Sequence, residues 1–144
     1  MDAIILPVAL ATTAACALIN LWLAFRVGQV RRAEKISIGD GGSTRLTARM
    51  RAHLNFAEFA PVVLILIALI ELAVGTEFWL WIAAGLFVIA RVLHPLGMDG
   101  WMPGRGIGIA LTMLITLGLG AYAASIPFFS FQQVETIEVV ETAG

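Results

Sequence analysis

Three polar side chains sit at helical spacing in an otherwise apolar stretch: Arg51, Asn55 and Glu58, at relative positions 0, 4 and 7. At about 100° per residue they form one narrow stripe two turns, or roughly 10 Å, long. Arg49 and His53 fall on the opposite face, one turn apart. A guanidinium, an amide and a carboxylate in line can grip a small zwitterion, the ligand's carboxylate meeting Arg51 and its ammonium meeting Glu58. The same three groups can instead pair among themselves and lock helices together, as polar side chains do within membranes. The residues alone leave both readings open. Arg91 and His94, one turn apart, and Arg105 beyond the next loop bring further cations to the same end. Taken singly, each can be a cation snorkelling to a membrane interface.

The elements that carry these residues must cross a bilayer. Of 144 residues, 60% are hydrophobic and 13% charged, against roughly 45–50% and 25% in soluble domains. Too few charges remain to cover a water-facing surface, so lipid must cover part of it. Ala3 to Phe25 is uncharged and long enough to span hydrocarbon. A second span runs from about Leu54 to Ala73, after a charged stretch with the turn signal Gly39-Asp40-Gly41-Gly42. A third starts near Phe78 and continues through Arg91 to His94-Pro95, where a proline is expected to end it. After a glycine- and proline-rich loop from Gly97 to Gly104, a fourth runs from about Gly106 to Ile126. The fold class is an all-α membrane protein, a four-helix transmembrane bundle over residues 1–131 with helices near 3–32, 44–74, 77–96 and 105–127. Residues 132–144 read as a weakly ordered acidic tail outside the membrane.

Charge sets the expected orientation. All nine Lys and Arg residues lie in the first loop with its flanking helix ends, or around the third loop. The positive-inside rule puts both basic loops in the cytoplasm and both termini outside, on the periplasmic side of a cell inner membrane. Glu58 then lies two turns inside the inner boundary, where an ionised side chain costs roughly 2.5–3.5 kcal/mol on insertion scales. A carboxylate there must be paired, solvated in a cavity, or protonated. On the fourth helix Gly104, Gly108, Thr112, Thr116, Gly120 and Ala124 repeat at every fourth position. Such a stripe of small residues lets backbones approach closely, within the bundle or between subunits.

Other chemistry finds no support. Cys16 is the only cysteine and sits in an apolar run, so it reads as an inert buried thiol. Two histidines without suitable spacing give no metal site. The glycine-rich turn lacks the phosphate-loop pattern. Membrane topology accounts for the basic loop without nucleic acid.

Arg51-x-x-x-Asn55-x-x-Glu58-x-x-Pro61 on a second transmembrane helix resembles the signature of the MAPEG family, which holds microsomal glutathione transferases, related eicosanoid synthases and many bacterial members. Arg31-Arg32-Ala33 is similar to an arginine pair of that family, and Arg91-x-x-His94 resembles the end of the third helix in its bacterial branch. The resemblance implies a homotrimer binding glutathione as cosubstrate between adjacent protomers near the cytoplasmic side. By position, Arg51, Asn55 and Glu58 would hold the tripeptide backbone, His53 would contact it, and Arg31 would take a carboxylate. Arg91 and His94 join this binding set. Arg105 falls where the family places the catalytic arginine, since a nearby guanidinium lowers a thiol's pKa. The implied reaction is thiolate attack on a lipophilic electrophile arriving from the bilayer. The sequence departs from the family pattern where phenols are expected: Phe59, Met98 and His94 stand there.

Three functions compete. The first is a glutathione-dependent transferase or peroxidase. The second is a non-catalytic trimeric membrane protein that binds a small ligand or an integral partner, favoured by the missing phenols. The third, a small proton-coupled exporter, ranks last because the first helix has no carboxylate and the basic loops are strongly asymmetric.

Overall fold

A computed structural model describes residues 5–142, with side chains described as far as Phe129. Four helices follow one another: α1 (Pro7–Glu34), α2 (Thr44–Val74), α3 (Phe78–Met98) and α4 (Met102–Thr142). Each is long and apolar enough to cross a membrane. They run up and down, so the 35–43 and 99–101 connections lie at one end and the 75–77 connection at the other. α1 packs on α2 and α3 on α4, α2 also meets α3 and α4, and α1 also meets α3; among the described residues α1 and α4 make no close approach.

Local chemistry explains the boundaries. Pro7 occupies the first turn of α1, where a missing N–H costs nothing. α1 therefore starts four residues later than the apolar run suggests, and it ends at Lys35 in the left-handed conformation. Ser43 caps α2 by accepting the Leu46 N–H at 3.1 Å. In the loop before it, Asp40 accepts from the Gly42 N–H at 3.0 Å and from the Thr47 hydroxyl. The Gly42 N–H, foremost, holds the Asp40 carboxyl below its ordinary range. Gly41, at a φ of 57°, closes this turn against the Ile36 side chain.

Two expectations need correction. Pro95 does not end the third span: α3 continues through it to Met98. Only one backbone bond is lost so close to the helix end, and the turn is held by α4. Added Cβ atoms on Gly104 and Gly108 would sit 3.0 Å and 2.9 Å from the carbonyls of Leu93 and Ala90. The third loop accordingly shrinks to residues 99–101, and α4 starts at Met102. The acidic tail is likewise not an irregular extension, because α4 runs unbroken through Pro127 to Thr142; residues 143–144 lie outside the described part.

The core gathers Leu23 of α1, Phe56, Val63 and Ile67 of α2, Leu80 and Phe87 of α3, and Ile115 and Leu119 of α4. At the 75–77 end it is closed by a carboxylate. Glu71, 2% exposed, accepts the Val8 and Ala9 N–H groups at 3.0 and 2.9 Å and the Thr76 hydroxyl at 2.8 Å. These are first-turn donors of α1 that no intrahelical carbonyl reaches. The small-residue stripe of α4 divides in two. Gly104, Gly108 and Thr112 are buried, and the two glycines pack on α3, whereas Thr116 and Gly120 are half-buried and Ala124 is exposed. Only 22% of the most apolar window of α4 is buried. The remainder of that helix faces lipid or another protein.

Candidate functional site

At the basic end, α2, α3 and α4 together line a cavity of about 340 Å³. α2 contributes Arg51, Leu54, Asn55 and Glu58, α3 contributes His94 and Met98, and α4 contributes Arg105 and Ile109. The helical period does this work: positions 51, 55 and 58 share one face, so three polar groups line a single wall. The opposite wall comes from the tight α3–α4 crossing. An added Cβ on Gly97 would lie 2.0 Å from the Arg105 backbone nitrogen, and one on Gly108 would lie 2.8 Å from that of His94. Glycines thus bring the backbones that carry Arg105 and His94 into direct contact. Arg105 is flanked by Gly104 and Gly106, yet its backbone is fixed by this crossing.

Asn55 is committed inward. Its side-chain oxygen accepts from Nη1 of Arg91 at 3.0 Å, and its backbone carbonyl lies 3.4 Å from the same nitrogen. Arg91 is 1% exposed, and its Nε and Nη2 have no hydrogen-bond partner. Phe59 and Phe87 place their rings 5.8 and 5.9 Å from its guanidinium carbon, a modest compensation for desolvation. Arg91 therefore stands behind the cavity wall and acts on the cavity through Asn55.

Arg51 and Glu58 make no hydrogen bond or ion pair with any described residue, and both are exposed. The three stripe residues therefore do not satisfy one another; a pairing confined to Arg51, Asn55 and Glu58 is not what the fold builds. Glu58 is also not a buried carboxylate, being exposed on the outside of the bundle. His94 is 4% exposed and lines the cavity without a described hydrogen-bond partner. Arg105 is exposed and unpaired among the described residues.

Two further candidates lie elsewhere. His53 turns to α1, its Nε2 2.8 Å from the Asn20 oxygen. Arg31 donates to the Gly39 carbonyl at 2.9 Å and to that of Ser37 at 3.4 Å, bracing the first loop. Neither lines the cavity. A third basic side chain, Arg49, donates to the Arg26 carbonyl at 3.1 Å. Both Arg26 and Arg49 pair with Asp99, a residue that the spacing of motifs did not single out.

This geometry defines a class: a four-helix membrane protein with an unpaired guanidinium–carboxylate groove at one end. The MAPEG family model matches residues 9–125, and the chain belongs to the MAPEG family. Two similar relatives are both described as inner membrane protein YecN, from Escherichia coli strain K12 and from E. coli O6:H1 strain CFT073. Each is 30% identical over 82 residues, covering 56% of this chain and 62% of the relative.

Proposed function

We propose that this protein binds glutathione in the Arg51–Glu58 cavity and uses it as a transferase or peroxidase cosubstrate against lipophilic electrophiles. One observation carries the reading: Arg51, Glu58 and Arg105 line a single cavity and none has a partner among the described residues. Ionised groups at the edge of hydrocarbon require counter-charges, and a tripeptide with two carboxylates and an ammonium supplies them. The volume lies at the lower end of the ~300–1,000 Å³ of small-molecule sites.

In this reading Arg51 binds a glutathione carboxylate and Glu58 its ammonium. The free amide N–H groups of Asn55 donate to the peptide, and His94 bounds the pocket on the α3 side. Arg105 stabilises the sulfur anion once the thiol proton is lost. The thiolate then forms a carbon–sulfur bond while the leaving group departs with its electron pair. The open side of the cavity is closed by a second copy in a homotrimer. His53 and Arg31, turned away from the cavity of their own protomer, then belong to what a neighbour can offer. The YecN relatives support an inner-membrane location, and the basic-loop asymmetry favours an orientation with both termini outside.

A second reading, a non-catalytic binding protein, draws on one feature: no described side chain lining the cavity carries a hydroxyl. Calorimetry on detergent-purified protein tests the first half of the proposal. Saturable glutathione binding is expected, lost in both Arg51→Ala and Glu58→Gln with oligomeric state retained. Absence of binding by folded wild type refutes it. Turnover of an aryl halide then separates the readings: Arg105→Ala keeps affinity and loses roughly 10²–10³ in kcat if that guanidinium stabilises the anion.

A further inference from the structure

A second cavity, of about 440 Å³, lies beside the first at the same end of the bundle. Its walls are Thr44, Arg45, Ala48 and Arg49 from the start of α2, and Met98, Asp99 and Gly100 where α3 ends. Met98 is the one residue it shares with the Arg51–Glu58 cavity. Its charge is not balanced. Asp99 is the only acidic side chain in the wall, and it is already engaged by two arginines, Arg26 and Arg49. Three guanidinium groups, Arg26, Arg45 and Arg49, thus stand against one carboxylate, leaving two positive charges over. Arg45 has no partner among the described residues, and the buried Nε of Arg49 has no hydrogen-bond acceptor, Asp99 Oδ1 being 3.5 Å away. Thr44 adds a hydroxyl, and the positive end of α2 adds to the same field.

The residues next to this wall in sequence are of another kind. Leu96, Trp101 and Met102 flank Asp99 and Gly100 in sequence and are 41%, 51% and 65% exposed. An indole beside arginines at a helix end is the arrangement that sits at headgroup level. The juxtaposition of a cationic pocket with an apolar lip matches an amphiphile whose charged part is compact and anionic. Basic pockets between transmembrane helices at the membrane surface bind phosphate-bearing lipid headgroups for this reason.

We propose that the cavity between the first turns of α2 and the end of α3 binds a phosphate group through Arg45, Arg49 and Thr44, supplied by an anionic phospholipid whose chains lie along Leu96, Trp101 and Met102. Arg49 is held in place by the Arg26 carbonyl and Asp99, so it is a fixed donor. Arg45 is exposed and free to close over the ligand. The site does not depend on the glutathione reading, since it shares no charged residue with that cavity.

The test uses full-length protein in a neutral detergent, titrated with dihexanoyl phosphatidylglycerol, with dihexanoyl phosphatidylcholine, and with inorganic phosphate. Binding is followed by calorimetry and by thermal stability. The glycerol lipid is expected to bind and the choline lipid to bind at least tenfold more weakly. Arg45→Gln, which breaks no described intrachain contact, is expected to weaken the glycerol lipid about fivefold. Arg45→Gln with Arg49→Gln is expected to abolish binding. Millimolar inorganic phosphate that fails to displace the lipid assigns the phosphate to a headgroup. Inorganic phosphate that binds alone, with Arg45→Gln weakening it, assigns the same site to a soluble phosphate. Equal binding of the two lipids without any phosphate binding, or unchanged affinity in Arg45→Gln, overturns the proposal.

Discussion

Replacing Asn55 by alanine isolates the contact that joins the wall of the main cavity to the bundle interior. Asn55 accepts a 3.0 Å hydrogen bond from a guanidinium that is 1% exposed and already carries two N–H-bearing nitrogens without acceptors. A hydrogen bond to a charged group is worth about 1.5–3 kcal/mol, and water cannot readily replace it at such a depth. Asn55→Ala should therefore lower the folded-to-unfolded ratio by roughly 10- to 150-fold, at about 1.4 kcal/mol per decade. Arg91→Met should behave otherwise. It removes a cation whose desolvation is only partly offset, so it is expected to be neutral or stabilising. In that background Asn55→Ala should cost under ~0.5 kcal/mol, leaving a coupling energy of about 1–2.5 kcal/mol. The assay is equilibrium unfolding in mixed micelles, read by tryptophan fluorescence, on the wild type, both single variants and the double variant. If Asn55→Ala costs the same with and without Arg91, the two residues are not coupled and the account of this wall is wrong.

Three further substitutions probe the frame. Glu71→Ala leaves the Val8 and Ala9 N–H groups buried without an acceptor, at ~1–3 kcal/mol each. It should cost about 3 kcal/mol or more in unfolding experiments, with glutathione affinity unchanged in the folded fraction; a loss under ~1 kcal/mol refutes the capping role. Gly97→Ala would place a Cβ 2.0 Å from the Arg105 nitrogen, so the α3–α4 crossing must open, at about 1–3 kcal/mol. Turnover should fall with it because Arg105 moves. Gly106→Ala is the control: nothing lies within 4 Å of its added Cβ, and helix propensity predicts a gain of roughly 0.5–1 kcal/mol.

The helical period made half of the cavity legible. Positions 51, 55 and 58 had to share a face and 49 and 53 the opposite one, and the fold uses both, sending His53 to Asn20 and Arg49 to Arg26. Partners were not legible, because they depend on which helices meet. Asn55 and Arg91 are 36 residues apart, and Glu71 meets α1 across 62 and 63 residues. A carboxylate near a helix end reads as an interfacial group, so Glu71 attracted no expectation. The one local cue is that Pro7 opens α1 across from it. The end of α3 was misjudged because a proline was weighed by its lost hydrogen bond, while the glycines of α4 that hold the turn lie 9 to 13 residues further on.

Family membership and the cavity therefore support the function in different ways. Belonging to the MAPEG family gives the frame, but Phe59, Met98 and His94 mean that the phenols of the family pattern contribute nothing here. In the proposed reaction the chemistry would fall to cations: Arg51 and Arg105 line the cavity, with Arg91 behind Asn55. Unpaired charged groups at the edge of hydrocarbon are costly. In the proposed function that cost becomes affinity, because glutathione and a covering neighbour would relieve the same unpaired groups. Ligand binding and assembly should then be linked: saturating glutathione should raise the association constant of the proposed trimer by the cube of the factor by which dilution into monomers weakens each site. Sedimentation in detergent with and without glutathione measures the first factor and calorimetry across protein concentration the second. Factors of one in both measurements would mean that the two processes do not share Arg51 and Glu58.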